Sequence, residues 1–273
     1  MEKIKKDQFV IAYLPIITRT QTVLAHANYL AKMLNKGLIL LHICDEKYSS
    51  ISPEEAEQTL KDLANFPNTS YCTLKGNTEK IIANLPNLLN SVVIVTEVDP
   101  NTKKNSPIHP KNILKNFADC STAWLTVQPN ITPLYKDIAL TTDYTRESKE
   151  KLVWASYYAR FGESNIHVLY QDYKDEGLHK LWYSNMLFLH KLYNSLNITY
   201  QPHPIIGKSS NADKDALPYM KNNHISLLVT VTTPTRSLLD HILTKPELHT
   251  IQNKEKIPIM FINPRKDLYI LCD

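Results

Sequence analysis

The chain has 273 residues, 43% of them hydrophobic and 21% charged, with a formal net charge of +4 at pH 7. These proportions are those of a soluble globular protein, and the length suggests two domains. They exclude the dense basic face of a nucleic-acid reader, and no apolar run approaches the ~20 residues of a membrane helix. The small clusters Lys3, Lys5, Lys6 and Lys103-Lys104 read as solvated surface.

Phe9 to Leu14 is a short apolar run, the pattern of a strand buried on both faces. Thr18 and Thr20 are helix-start residues. Val23, Ala27, Leu30, Ala31 and Leu34 follow at the spacing of one buried helical stripe, up to a stop at Gly37. Leu38 to Cys44 is a second strand, ended by Asp45. Ser52-Pro53-Glu54-Glu55 opens a helix with a cap, a first-turn proline and acids at the positive end of the dipole. Thr69 to Leu74 is a third strand. Gly76-Asn77-Thr78 turns into a helix bearing Ile81, Ile82, Leu85, Leu88 and Leu89, which Pro86 should kink or shorten. Val92 to Val95 is a fourth strand, Asp99 to Pro110 a polar loop, Pro110 to Phe117 a short helix, and Ala123 to Val127 a fifth strand.

The same order then repeats. Ile138 to Thr141 reads as a strand, Thr145 to Phe161 as a helix stopped at Gly162, and Ile166 to Tyr170 as a strand. Leu178 to Leu196 is a long helix with Leu181, Met186, Leu189, Leu192 and Leu196 on its apolar side. A strand at Thr199 to Ile206, a helix at Ala212 to Asn222, a strand at Ile225 to Val231, helical turns from Ser237 and a strand at Ile257 to Ile262 complete it. Leu268 to Cys272 is apolar enough for an added edge strand.

Residues correspond between the copies: Ile11 with Ile138, Tyr29 with Tyr157, Gly76 with Gly207, Pro129 with Pro264. A period this long means two fused globular units, since solenoid repeats span only ~20–50 residues. The expected layout is domain 1 at 1–129, a linker at 130–135 overlapping the proline-bearing stretch Gln128 to Leu134, and domain 2 at 136–273. Strands alternating with helices give the α/β class: two tandem doubly wound parallel five-stranded sheets with right-handed crossovers. Ligands of such sheets sit beyond the carboxyl ends of the strands, where the strand order reverses.

Cys44, Cys72, Cys120 and Cys272 form no C-x-x-C pair and suit a reducing compartment. Ala25-His26-Ala27 resembles a signal-peptidase site, but Pro15 interrupts the preceding apolar run, and the segment maps onto the internal second copy. The expectation is a cytoplasmic protein.

The ordered set of elements resembles the universal stress protein family in its tandem form, over nearly the whole chain. The stretch Ile138-Ala-Leu-Thr-Thr-Asp143, Ser148, Leu152-Val-Trp154-Ala155 and Ala159 resembles the family's opening strand, terminal aspartate, serine-bearing turn and alanine-rich helix. His42 resembles the second strand, and Gly76 and Gly207 the glycine after the third. The resemblance implies strand order 3-2-1-4-5 and ATP, in nucleotide-binding members, at the switch point between strands one and four. There a G-x2-G-x9-G-[ST] loop wraps the phosphates, because glycine lets bare N–H groups approach an anion. It also implies a pseudo-dimer of the two halves through Ala123–Val127 and Ile257–Ile262, which would hide two strand edges.

This chain departs from that loop in both copies. Val231 and Pro234 fall on the first two glycine positions of the second copy, Thr244 on the third and Lys245 on the Ser/Thr. Proline has no N–H to donate, and valine resists positive φ. In the first copy Thr96 and Asp99 take the leading positions, and Leu14-Pro15 stands where the aspartate belongs. A carboxylate ~4 Å from a phosphate repels it by ~1 kcal/mol even in bulk water. The chain has only five glycines and neither a G-x-G-x-x-G nor a Walker loop.

Asp143 either contacts a base or ribose or caps the following helix. With Thr142, Thr230, Thr232, Thr233 and Arg236 it forms the candidate ligand-binding set; alternatively that loop is a plain turn before a helix at Ser237. The histidines show no H-x-x-x-H or H-E-x-x-H, so no metal is expected. Asp240-His241 has no nucleophile elbow beside it, so no catalytic residue is assigned. Trp124, Trp154 and Trp182 fit core or interface packing. The expected function is a non-catalytic scaffold or regulatory protein without cofactor. Its partners would be an unidentified protein or a second copy, with no nucleic acid and no membrane. The alternative is nucleotide or small-anion binding in domain 2 alone.

Overall fold

A computed structural model of the chain describes residues 7–48, 51–65, 67–145, 147–171, 173–205, 212–233 and 246–264. The chain separates into two compact units, Met1–Pro133 and Leu134–Asp273. Unit 1 runs β1 (Phe9–Tyr13), α1 (Gln21–Leu34), β2 (Gly37–Cys44), α2 (Pro53–Leu63), β3 (Thr69–Lys75), α3 (Thr78–Leu89), β4 (Ser91–Glu97), α4 (Pro110–Asn116) and β5 (Ala123–Val127). Its strands are parallel in the order β3-β2-β1-β4-β5, with Ile11 beside Ile39 on one side and Ile94 on the other. Val10, Ile11, Ala12, Leu40, Leu41, Val93, Ile94 and Val95 are buried along unbroken apolar runs. Helices cover both faces of the sheet, so the inner strands β1, β2 and β4 read as apolar runs rather than as an alternation.

Unit 2 repeats this as β6 (Asp137–Thr142), α5 (Ser148–Gly162), β7 (Asn165–Tyr170), α6 (Glu176–Ser195), β8 (Tyr200–Pro204), α7 (Ala212–Asn222), β9 (Leu227–Val231), α8 (Pro246–Ile251) and β10 (Ile259–Ile262). The order β8-β7-β6-β9-β10, again parallel, is the same 3-2-1-4-5. The expected α/β class and strand order are therefore present in each unit.

Local chemistry sets the element ends. Ser52 and Glu55 form a full capping box at the start of α2, with Pro53 in the first turn. Asp45 and Asn77 cap α3, accepting from the amides of Thr78 (2.8 Å) and Lys80 (3.0 Å). The stops differ from expectation. Asn35, not Gly37, takes the left-handed conformation after α1, and Gly37 opens β2, where an added Cβ would lie 2.8 Å from the Phe9 ring. Gly162 is the last residue of α5, and Glu163 turns left-handed. α1 begins at Gln21, and Thr20 makes no side-chain cap.

α3 runs through Pro86 and ends three residues later, before a left-handed Asn90. Leu88 on α3 and Leu181 on α6 are 58% and 53% exposed, because the buried stripes run through Ile82–Leu85 and Asn185–Leu189–Tyr193 instead. α8 was not legible: six residues are too few to show a period. Gly207, the turns from Ser237 and the tail from Leu268 lie outside the described residues.

Gly76 has φ +139°, where L side chains rarely sit, while its missing Cβ would meet only Ile81 Cδ1 at 3.5 Å. Gly76→Ala should therefore cost roughly 1–3 kcal/mol through backbone strain alone. Urea denaturation at neutral pH reads this, and an unchanged midpoint would mean the turn relaxes freely.

Candidate functional site

In unit 2 the switch point lies where β6, flanked by β7 and β9, ends at Thr142. Asp143 follows directly. Its Oδ1 accepts from the Thr145 amide (2.8 Å) and hydroxyl (2.6 Å), closing an Asx turn. The N-cap position of α5 is Glu147, so Asp143 shapes the loop before the helix rather than capping it. From α6, Asn185 donates to the carbonyls of Asp143 (2.8 Å) and Thr145 (2.7 Å) and fixes that loop.

The centre of the site is a residue absent from the candidate set. Lys151, one turn into α5, is 1% exposed. Helical side chains lean toward the N-terminus, so its ammonium reaches back to the end of β6. It donates to Thr141 Oγ1 at 3.0 Å and lies 3.5 Å from Asp143 Oδ2. Thr141 in turn donates to Asp213 Oδ1 on α7 at 2.5 Å, and Thr230, at the end of β9, donates to the other Asp213 oxygen. One lysine and two aspartates, joined by two threonine hydroxyls, thus bridge β6 and β9 under the switch point. A buried ammonium is tolerable only when paired in this way. The sequence carried a signal: Lys151, Ala155 and Tyr158 share one helical face, and the last two are buried.

The remaining candidates are placed as follows. Thr142 Oγ1 accepts from Trp182 Nε1 at 3.2 Å. Thr232 Oγ1 donates to Asn263 Oδ1 at 2.6 Å, and the Thr233 amide donates to Glu247. Those two therefore turn toward the end of β10 and the start of α8, not toward Asp143. Arg236 lies outside the described residues.

Aromatic rings line the neighbouring end of β7: Tyr144 meets Tyr173 edge-on at 5.6 Å, and Trp182 lies 5.3 Å from Tyr170, 5.4 Å from His179 and 6.4 Å from Tyr173. Trp182 is thus a crevice residue, whereas Trp124 is core, stacked on Phe117 at 4.7 Å. Gln171, 4% exposed, has neither amide atom hydrogen-bonded, and the buried Tyr173 hydroxyl is also without a partner. Burial, with Asp143 nearby, pushes the Tyr173 phenol up, so it keeps its proton.

Unit 1 closes its switch point differently. Arg19, from the segment after β1, places Nη2 2.8 Å from Glu97 Oε1 and 2.9 Å from Asp99 Oδ2 at the end of β4. Burial raises the Glu97 carboxyl, against the pull of Arg19. His42 donates from Nδ1 to the Leu14 carbonyl at 2.7 Å, and burial holds its pKa below the ordinary range. Among the described residues no cluster of three or more His, Cys, Asp or Glu side chains could hold a metal ion, and no helix is long and apolar enough to cross a membrane.

No protein-family model and no curated protein matches the sequence. Solved structures do match. A universal stress protein from Archaeoglobus fulgidus DSM 4304 superposes with a TM-score of 0.75 at 12% identity, over 94% of this chain and 98% of that one. A putative universal stress protein from Pseudomonas aeruginosa UCBPP-PA14 gives 0.67 at 13%, over 96% and 95%. The cytoplasmic domain of a prokaryotic cation chloride cotransporter gives 0.54 at 11%, over 94% and 95%. Identities this low speak to architecture, and the architecture of this chain is that of the universal stress proteins.

Proposed function

We propose that this is a non-catalytic, cytoplasmic protein of universal-stress type that works as a scaffold or regulatory module and does not bind ATP as nucleotide-binding members of that fold do. The observation that carries this reading is that both switch points are filled by ion pairs of the chain itself. Arg19 is spent on Glu97 and Asp99 in unit 1, and Lys151 on Asp143 and, through Thr141, Asp213 in unit 2. Among the described residues each cluster holds one cation and two carboxylates, a balance that works against a triphosphate at short range. Cys44, Cys72 and Cys120 carry thiols, which suit a reducing compartment.

A second reading, ligand binding in unit 2 alone, is favoured by the three unpartnered polar atoms of Gln171 and Tyr173. Each such buried group costs about 1–3 kcal/mol until something pairs with it. The charge of the lysine cluster makes a base or sugar a better fit there than a phosphate. Calorimetric titration with ATP, AMP, a cyclic nucleotide and adenosine separates the readings. Flat traces throughout are the expected result. Saturable micromolar binding that disappears in Asp143→Ala would replace the first reading with the second, and phosphate release from ATP would end the non-catalytic assignment.

A further inference from the structure

Strand β8 is the edge of the unit 2 sheet, and little holds it. Pro202 and Pro204 have no N–H for the ladder, and only Tyr200 and His203 of its five residues are even partly covered. Among the described residues its side-chain links are a Tyr200–Tyr193 ring contact at 5.8 Å, a His203–Tyr219 ring contact at 5.3 Å and a hydrogen bond between His203 and His167 on β7. In that bond His167 Nδ1 and His203 Nε2 lie 3.1 Å apart. The ring centroids are 5.3 Å apart with planes 21° from parallel, so the rings meet edge to edge with their nitrogens in line. On its other side His167 Nε2 faces Asp137 Oδ1 on β6 at 3.2 Å, and Asn165 donates to the same oxygen at 2.9 Å.

The geometry points to a proton-gated latch, in which Asp137, His167 and His203 clamp β8 to the sheet while their imidazole pair shares one proton and release it when the pair takes a second. An imidazole–imidazole bond needs an N–H on one ring and a lone pair on the other. Asp137 holds His167 Nε2 as a donor, so in the neutral pair His203 Nε2–H donates to His167 Nδ1. One added proton still leaves one ring nitrogen with a lone pair, enough to accept the bond between the rings. A second proton leaves two N–H groups and two positive charges facing each other.

Among the described residues the other titratable and charged groups around the pair are Lys136, just before β6, and Tyr219 on α7, whose ring lies 5.3 Å from His203. Burial and then the neighbouring His167 hold His203 below the ordinary histidine range. The Asp137 carboxyl is lowered despite its burial, by Asn165, His167 and Lys136. Both directions preserve the bonded pair at neutral pH and place its loss on the acid side.

The test is amide hydrogen exchange on the full chain at about pH 7.5 and about pH 5, across the range where histidine titrates, with intrinsic rates divided out. Peptides covering Tyr200–Ile205 should lose roughly tenfold in protection on acidification, the worth of one hydrogen bond, while peptides from β6 stay unchanged. His203→Phe should exchange fast at both pH values. His203→Gln, whose carboxamide can donate or accept, should remain protected at both. Circular dichroism confirms that each variant folds. A wild-type β8 insensitive to acid, or an unaltered acid response in both variants, would overturn the latch.

Discussion

Replacing Lys151 with alanine should lower the unfolding free energy by roughly 3–5 kcal/mol, the range for breaking a buried ion pair from one side. The loss comes less from the ammonium's bonds than from what it leaves behind. Asp143 would lose its ion-pair partner, Thr141 Oγ1 would lose the ammonium that donates to it, and a cavity would open beneath the first turn of α5. Lys151→Met keeps the apolar stem and should recover part of the packing but none of the charge. Combining Lys151→Met with Asp143→Asn removes both members of the pair and should approach wild-type stability, as swaps of whole buried pairs often do. Urea denaturation followed by tryptophan fluorescence gives the three values. A loss below about 1 kcal/mol in Lys151→Ala would mean that the lysine is not the counter-charge of the site.

Acid should weaken unit 1 through His26. This ring is fully buried, and its Nε2 lies 2.9 Å from the Ile131 carbonyl, so that nitrogen donates. Burial pushes its pKa down to about 4 from 6.5, against the raising effect of the carbonyl. Above pH 6.5 the ring is neutral in both folded and unfolded chains, and its contribution is fully present. As pH falls, the unfolded chain takes the proton first, so stability drains away between pH 6.5 and about 4. Over that whole window the loss is about 3 kcal/mol. His42, also held low by burial, adds to it with the same sign. Urea midpoints at pH 7 and pH 5 measure the slope, and His26→Gln should flatten it. An equal slope in that variant would place the acid sensitivity elsewhere.

The fold was legible because its determinants are local. Apolar runs without alternation marked the strands, α7 fell at Ala212–Asn222 as read, and Ser52-Pro53-Glu54-Glu55 gave α2 its start. The strand order came from the family resemblance and holds in both units. The site was less legible because its contacts are distant in sequence. Thr141 meets Asp213 across 72 positions and Arg19 meets Asp99 across 80, and no window of periodicity reveals either pairing. Asp143 was found, yet its two oxygens serve Thr145 and Lys151. Thr232 and Thr233, adjacent to the strand end that carries Thr230, turn away from it. The mispredicted exposures of Leu88 and Leu181 have one cause: an apolar residue at the right spacing still needs a neighbour to cover it.

Asparagine makes many of the left-handed corners: Asn35, Asn68, Asn90, Asn130 and Asn197 all have positive φ among the described residues. Such corners leave the denatured chain fewer conformations than glycine would, so the reversals are partly prepaid before folding begins. They also face the surroundings with carboxamides instead of bare main chain.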